Sequence, residues 1–85
     1  MIAQIRDYLA EAANTTTLAE QGLEKICAGR YQPAMATTVV RMLRKIIAST
    51  DCLLGLPRMP REDHKALRVF RAHAIALKRA AKAIR

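Results

Sequence analysis

The segment from Pro33 to Leu54, PAMATTVVRMLRKIIASTDCLL, carries the most regular apolar pattern in the chain. Its apolar residues recur every three or four positions, as they do along one side of an α-helix. The resulting apolar arc is too wide to be covered by a single neighbouring helix. We therefore predict a central helix over 33–54 that contacts at least two other helices. Its apolar side comprises Met35, Val39, Met42, Leu43, Ile46, Ile47, Thr50, Leu53 and Leu54, with Val40 at the edge.

The chain after this segment predicts a second long helix, over about 60–84. Gly55, Pro57 and Pro60 end one helix and allow the next to begin. Because the connection is short, the two helices are expected to form an antiparallel hairpin. The spacing favours packing of an apolar stripe against the central helix, and a homodimer seam is the alternative. The stripe comprises Leu67, Phe70, Ala74, Leu77, Ala81 and Ile84, with Ala66 and His73 beside it.

The N-terminal third predicts two shorter helices, over about 2–13 and 18–28. The run NTTT between them favours local side chain–backbone hydrogen bonds over a continuing helix. Thr17 and Glu20 match a capping box, which places a helix start at Leu18, and Gly29 suits the end of that helix. The fold predicted for residues 1–85 is a single all-α domain of four helices. Its two short helices pack on the long hairpin.

Cysteine use and hydropathy favour a reduced, cytoplasmic protein. Cys27 and Cys52 lack CxxC spacing, so we interpret them as buried small side chains, with one disulfide as the alternative. The first residues lack the pattern of a secretory signal. No run approaches the roughly 18 apolar residues of a membrane span.

Charge is the strongest functional indication. The chain has 15 Lys and Arg against seven Asp and Glu, a net charge of +8. Residues 1–60 hold seven bases and five acids, whereas residues 61–85 hold eight bases and two acids. Such a one-sided surplus of cations favours nucleic acid, an anionic membrane or an acidic protein as the partner.

The helical pattern places the bases of the last segment on the side away from the apolar stripe. Ile75 falls among them and is a candidate anchor for a partner. Arginine, which predominates, suits bidentate contact with phosphate. The alternative is a solvated face that keeps an alanine-rich helix soluble. The candidate binding residues are Arg61, Lys65, Arg68, Arg71, Ile75, Lys78, Arg79 and Lys82, supported by Arg41, Arg44 and Lys45.

Other functional classes find less support in the sequence. A helix-turn-helix over 17–43 would lack base-reading side chains at the start of its recognition helix. His64 and His73 fall on different sides of their helix, and no metal or catalytic motif accompanies them. We expect no cofactor and no enzymatic activity. The alanine-rich apolar stripe, which lacks Trp, makes a membrane surface a poor partner.

Two hypotheses remain, and neither is enzymatic. The first is binding to the phosphate backbone of nucleic acid, and the second is docking on an acidic protein as an adaptor or inhibitor. The small helical chain, rich in Arg and Ala, resembles accessory proteins of phages and plasmids. This resemblance rests on general character and assigns no residue.

Overall fold

The computed structural model describes residues 2–84, and these residues form an all-helical bundle. The helices are α1 (Ala3–Cys27), α2 (Ala36–Leu54) and α3 (Arg61–Ile84), and a 3₁₀ turn, Pro33–Met35, leads into α2. The helical class predicted from the sequence is confirmed. The four-helix arrangement is wrong, because the two predicted N-terminal helices are one continuous helix.

Threonine side chains explain why α1 does not break at the run NTTT. The hydroxyl groups of Thr16 and Thr17 both donate to the Ala13 carbonyl, at 2.8 and 3.0 Å, and Thr15 donates to the Glu11 carbonyl at 3.3 Å. These bonds run back along the helix, so the side chains are satisfied without competing for the backbone. The predicted capping box is also wrong, because no helix starts at Leu18.

The end of α1 agrees with the prediction at Gly29. This glycine has φ of 78°, in the left-handed region that residues with a Cβ avoid. Its amide donates to the Ile26 carbonyl at 3.1 Å, and the Arg30 amide donates to the Lys25 carbonyl at 2.8 Å. This is the Schellman pattern, which satisfies the last carbonyls of a helix.

The central helix, α2, contacts both α1 and α3, as its wide apolar arc predicted. Leu43 is fully buried and lies in a cluster with Leu23 of α1 and Ala81 of α3, so all three helices meet there. Two details differ from the prediction. Val40 lies in this buried cluster instead of at its edge, whereas Met35 is exposed in the turn that precedes α2.

Residues 55–60 connect α2 to α3, and the two helices run antiparallel. Asp51 near the end of α2 contacts Arg71, whereas Val40 near its start packs in the same cluster as Ala81. Leu67, Ala74 and Ala81 of the predicted stripe are fully buried, and its other members are partly buried. The described residues span 45 × 17 × 15 Å, the shape of a narrow bundle.

Polar side chains link α1 to the hairpin at three levels. A carboxylate oxygen of Asp63, which is fully buried, accepts a hydrogen bond from the Ile2 amide at 2.9 Å. The Tyr8 hydroxyl donates to the Ile46 carbonyl at 3.1 Å and lies 2.8 Å from the Thr50 hydroxyl. Further along, the Nε2 atom of His73 lies 2.7 Å from a carboxylate oxygen of Glu20.

The prediction that both cysteines are buried is wrong. Cys27 and Cys52 are free and exposed, although the sequence suggested buried side chains. Cys27 ends α1 and Cys52 lies in the last turn of α2, at the opposite end of the bundle. His73, beside the apolar stripe, is half exposed and pairs with Glu20.

Candidate nucleic-acid interface

Charge is divided unequally among the three helices. Helix α1 holds four acidic and two basic residues, a net charge of −2. Helix α2 holds three bases and one acid, and α3 holds seven bases and two acids, which gives +2 and +5. The positive charge therefore resides on the hairpin of α2 and α3, whereas α1 is acidic.

The antiparallel register aligns side chains of the two helices along the outer seam between α2 and α3. Arg71 donates from Nε to a carboxylate oxygen of Asp51 across this seam. Seven residues are about two helical turns, so side chains seven positions apart lie on the same side of a helix. Moving seven residues back along α2 leads to Arg44, and seven forward along α3 leads to Lys78. The same relative positions thus hold an ion pair at one level and two cations about 10 Å further on.

Two further pairs of positions lie along the seam, one on each side of Arg44 and Lys78. Between them and the ion pair, Ala48 of α2 is level with Ile75 of α3, and Ile75 is partly buried. One turn beyond them, Arg41 is exposed on α2 and Lys82 is exposed on α3. We call Arg41, Arg44, Lys78 and Lys82 the basic cluster.

Neutralisation within the chain is incomplete at the basic cluster. Arg41, Arg44 and Lys78 form no ion pair with any residue in 2–84. Of the acids that the structure describes, Asp51 lies on this seam, and it is already paired with Arg71. Like charges held close together repel, and a bound polyanion relieves that repulsion.

Lys45 lies apart from the basic cluster. Although it follows Arg44 in sequence, it lines the groove between α1 and α2, with Tyr8 and Glu11. The reason is geometric, since consecutive residues of a helix point about 100° apart. The structure therefore separates Lys45 from Arg41 and Arg44, with which the sequence grouped it.

The remaining predicted bases lie on α3 outside the seam. Arg61, Lys65 and Arg68 line an open hollow of about 650 Å³ on the outer side of the N-terminal half of α3. Arg79 is exposed next to Lys78. Arg71 belongs to the seam, but Asp51 neutralises its charge. The structure thus divides the predicted surface into the basic cluster with Ile75 and a second group around Arg61, Lys65 and Arg68.

Val69 is an exposed apolar side chain that the sequence interpretation missed. It is 63% exposed, and it separates the hollow that contains Arg68 from a second one lined by Ala66, Phe70 and His73. Its position could have been found from the helical period, since Val69 falls about 200° around the helix from the buried Leu67. The sequence pattern indicated Ile75 instead, because Ile75 falls among the bases of the last segment.

Other sites are not apparent in the described part of the chain. Among residues 2–84, no three His, Cys, Asp or Glu side chains are arranged to hold a metal ion. No helix in the same range is long and apolar enough to cross a membrane. Comparison of the chain with protein families, curated proteins and solved structures found no match.

Proposed function

We propose that this protein is a non-enzymatic nucleic-acid-binding module that contacts the phosphate backbone with the outer seam of α2 and α3. The supporting observation is a comparison of two levels of the seam. The positions that hold the Asp51–Arg71 ion pair at one level hold two cations, Arg44 and Lys78, two helical turns further on. A solvated helix surface usually intersperses acids with bases. This seam instead concentrates cations from two helices, and the acids of α1 lie outside it.

The binding energy would come mainly from release of counterions condensed on the nucleic acid. Each neutralised phosphate of a duplex contributes a slope of about −0.9 in log K against log salt. If Arg41, Arg44 and Lys78 each neutralise one phosphate, affinity falls about 40-fold between 50 and 200 mM salt. Binding of this kind fits a cytoplasmic protein, which is the location we propose.

The test is removal of two cluster charges against a control of equal charge. In one variant, Arg44→Ala is combined with Lys78→Ala. In the control, Lys45→Ala is combined with Arg30→Ala, which removes two exposed bases outside the cluster. Fluorescence anisotropy with labelled oligonucleotides should show at least a ten-fold weaker affinity and a salt slope reduced by about 2 for the first variant only. Helical content by circular dichroism should be unchanged in both.

Two outcomes contradict this proposal. One is the absence of binding to any duplex or single strand at about 50 mM salt, where such contacts are strongest. The other is an equal loss of affinity in both variants. That result would mean that net charge alone attracts the nucleic acid and that the seam is not its site.

A second candidate function is docking on an acidic partner protein through the outer side of α3. The supporting observation is the exposed Val69 beside Arg61, Lys65 and Arg68, since interfaces combine an apolar anchor with a polar rim. Val69→Asp should abolish such docking without unfolding the chain. Ile75→Asp is a poorer test, because Ile75 is partly buried at the seam and its replacement also disturbs helix packing.

A further inference from the structure

We infer that the seam binds duplex nucleic acid in preference to single strands, and that it does so without reading the base sequence. The inference rests on the proposed function, and it specifies the class of nucleic acid. Three arguments support it, from the positions of the aromatic side chains, the width of two packed helices and the fixed spacing of the cations.

No aromatic side chain lies on the seam. The chain contains two tyrosines, one phenylalanine and no tryptophan. Tyr8 is partly buried, with its hydroxyl bonded to α2 on the α1 side. Tyr31 lies in the connection between α1 and α2, under the Lys25 ammonium at 5.4 Å. Phe70 is partly buried and lines the hollow that contains His73, on another side of α3.

This arrangement disfavours single strands. Proteins that hold single-stranded nucleic acid stack its bases on aromatic side chains, with a gain of roughly five-fold or more in affinity per base. Without such a platform, a single strand would be held by its phosphates alone. It also carries a lower charge density than a duplex and releases fewer counterions per contact.

The width of the seam prevents base reading. Packed helices lie 8–10 Å apart, and each is about 10–12 Å across, so the α2–α3 surface is about 20 Å wide. The major groove of B-DNA is about 12 Å wide and admits one helix. Because Arg44 and Lys78 extend from two adjacent helices, the seam lies across the phosphate backbone and stays outside the groove.

The spacing of the cations is fixed by packed helices. Arg44 and Lys78 face each other across the seam, and Arg41 lies about one turn, or roughly 5 Å, further along. The fully buried Leu43 and Ala81 hold the two helices together at this level. A rigid array of cations gains most from phosphates that are already ordered, as they are in a duplex, because a flexible strand loses conformational freedom when it binds.

The experiment measures the affinity of the full chain for four labelled probes at 50, 100 and 200 mM salt. The probes are a 20-base-pair DNA duplex, a second DNA duplex of shuffled sequence, an RNA duplex of the first sequence and a 20-nucleotide oligo-dT strand. We expect the three duplexes to bind at least five-fold more tightly than oligo-dT. The two DNA duplexes should agree within about two-fold.

The outcomes separate this inference from the function on which it rests. Failure of all four probes to bind at 50 mM salt overturns the proposed function. Oligo-dT affinity equal to or above that of the duplexes overturns the duplex preference and leaves nucleic-acid binding in place. A difference above ten-fold between the two DNA duplexes overturns the backbone-only contact. Arg44→Ala with Lys78→Ala should weaken duplex binding by at least ten-fold, and no effect of this variant would place the contact elsewhere.

Discussion

Helices α1 and α3 are nearly equal in length, with 25 and 24 residues, and both pack on α2, yet they are held in different ways. Helix α3 is held mainly by apolar packing, with Leu67, Ala74 and Ala81 fully buried. Helix α1 also buries larger apolar side chains, Ile5, Leu23 and Ile26, and it adds hydrogen bonds to both other helices. Apolar packing therefore holds both helices on α2, and the hydrogen bonds additionally fix the position of α1.

The same two helices also differ in charge. With a net charge of −2, α1 resembles an ordinary solvated helix, whereas α3 carries +5. Because the acids of α1 lie outside the seam of α2 and α3, Arg44 and Lys78 form no ion pair with any acid in the described range 2–84. The division of charge therefore follows the division of structure: one helix braces the bundle and the hairpin presents the cations.

Leu43→Ala is expected to lower the free energy of unfolding more than any other variant considered for this bundle. Leu43 is fully buried at the level where all three helices meet, so its truncation leaves a cavity in the hairpin core. Such changes cost about 2–5 kcal/mol, a large fraction of the roughly 4–13 kcal/mol expected for a domain of 85 residues. Urea unfolding followed by circular dichroism measures the loss.

Val69→Ala is the matched control for this experiment, because Val69 is an exposed apolar residue of the same hairpin. It should change the free energy of unfolding by less than about 0.5 kcal/mol. A comparable loss in both variants would mean that the hairpin core is not packed around Leu43.

A smaller effect is expected from Asp63→Ala, which tests the polar attachment of α1. One carboxylate oxygen of Asp63 accepts the hydrogen bond from Ile2, and the other has no partner among residues 2–84. Loss of a hydrogen bond to a charged group costs about 1.5–3 kcal/mol, and relief of the buried, half-satisfied carboxylate offsets part of it. We expect a net loss of about 1 kcal/mol, with faster amide hydrogen exchange in the first turns of α1 and little change in α2.

Asp63→Asn distinguishes the hydrogen bond from the charge. The amide oxygen of asparagine can still accept from the Ile2 amide, so exchange in α1 should stay closer to that of the unchanged protein. If both variants leave hydrogen exchange in α1 unaltered, the contact with Asp63 does not hold this end of the helix.

The sequence predicted those features that depend on regular apolar spacing. The central helix and the start of α3 follow from periodicity and from the prolines of the connection, and Gly29 marks the end of α1. Prediction from the sequence failed where one side chain can form two different hydrogen bonds. Threonine, for example, can cap a helix or donate back within it.

The candidate surface was likewise predictable only in part. The excess of bases near the C-terminus is visible in the composition. The separation of Lys45 from Arg44 and the pairing of Arg71 with Asp51 depend on how α2 packs between its neighbours. Helix period alone gives relative directions on one helix, and the register between two helices requires their packing.

The smallest expected effect, and the one that tests continuity of α1 most directly, comes from Thr17→Ala. Thr17 is exposed, and its hydroxyl donates to the Ala13 carbonyl within the helix. In a continuous helix, alanine is the better helix former by at most about 0.7 kcal/mol, and the lost hydrogen bond cancels part of that gain. We therefore expect a change between zero and a few tenths of a kcal/mol towards greater stability.

The opposite sign is expected if a second helix begins after Thr17. Its side chain would then be an N-cap, and replacement by alanine would cost about 0.5–2 kcal/mol. Thermal unfolding separates the two cases, with Thr37→Ala in the first turn of α2 as an exposed threonine control. Because the two structures of this segment predict changes of opposite sign, even a small measured shift in Tm decides whether α1 braces the hairpin as one helix or as two.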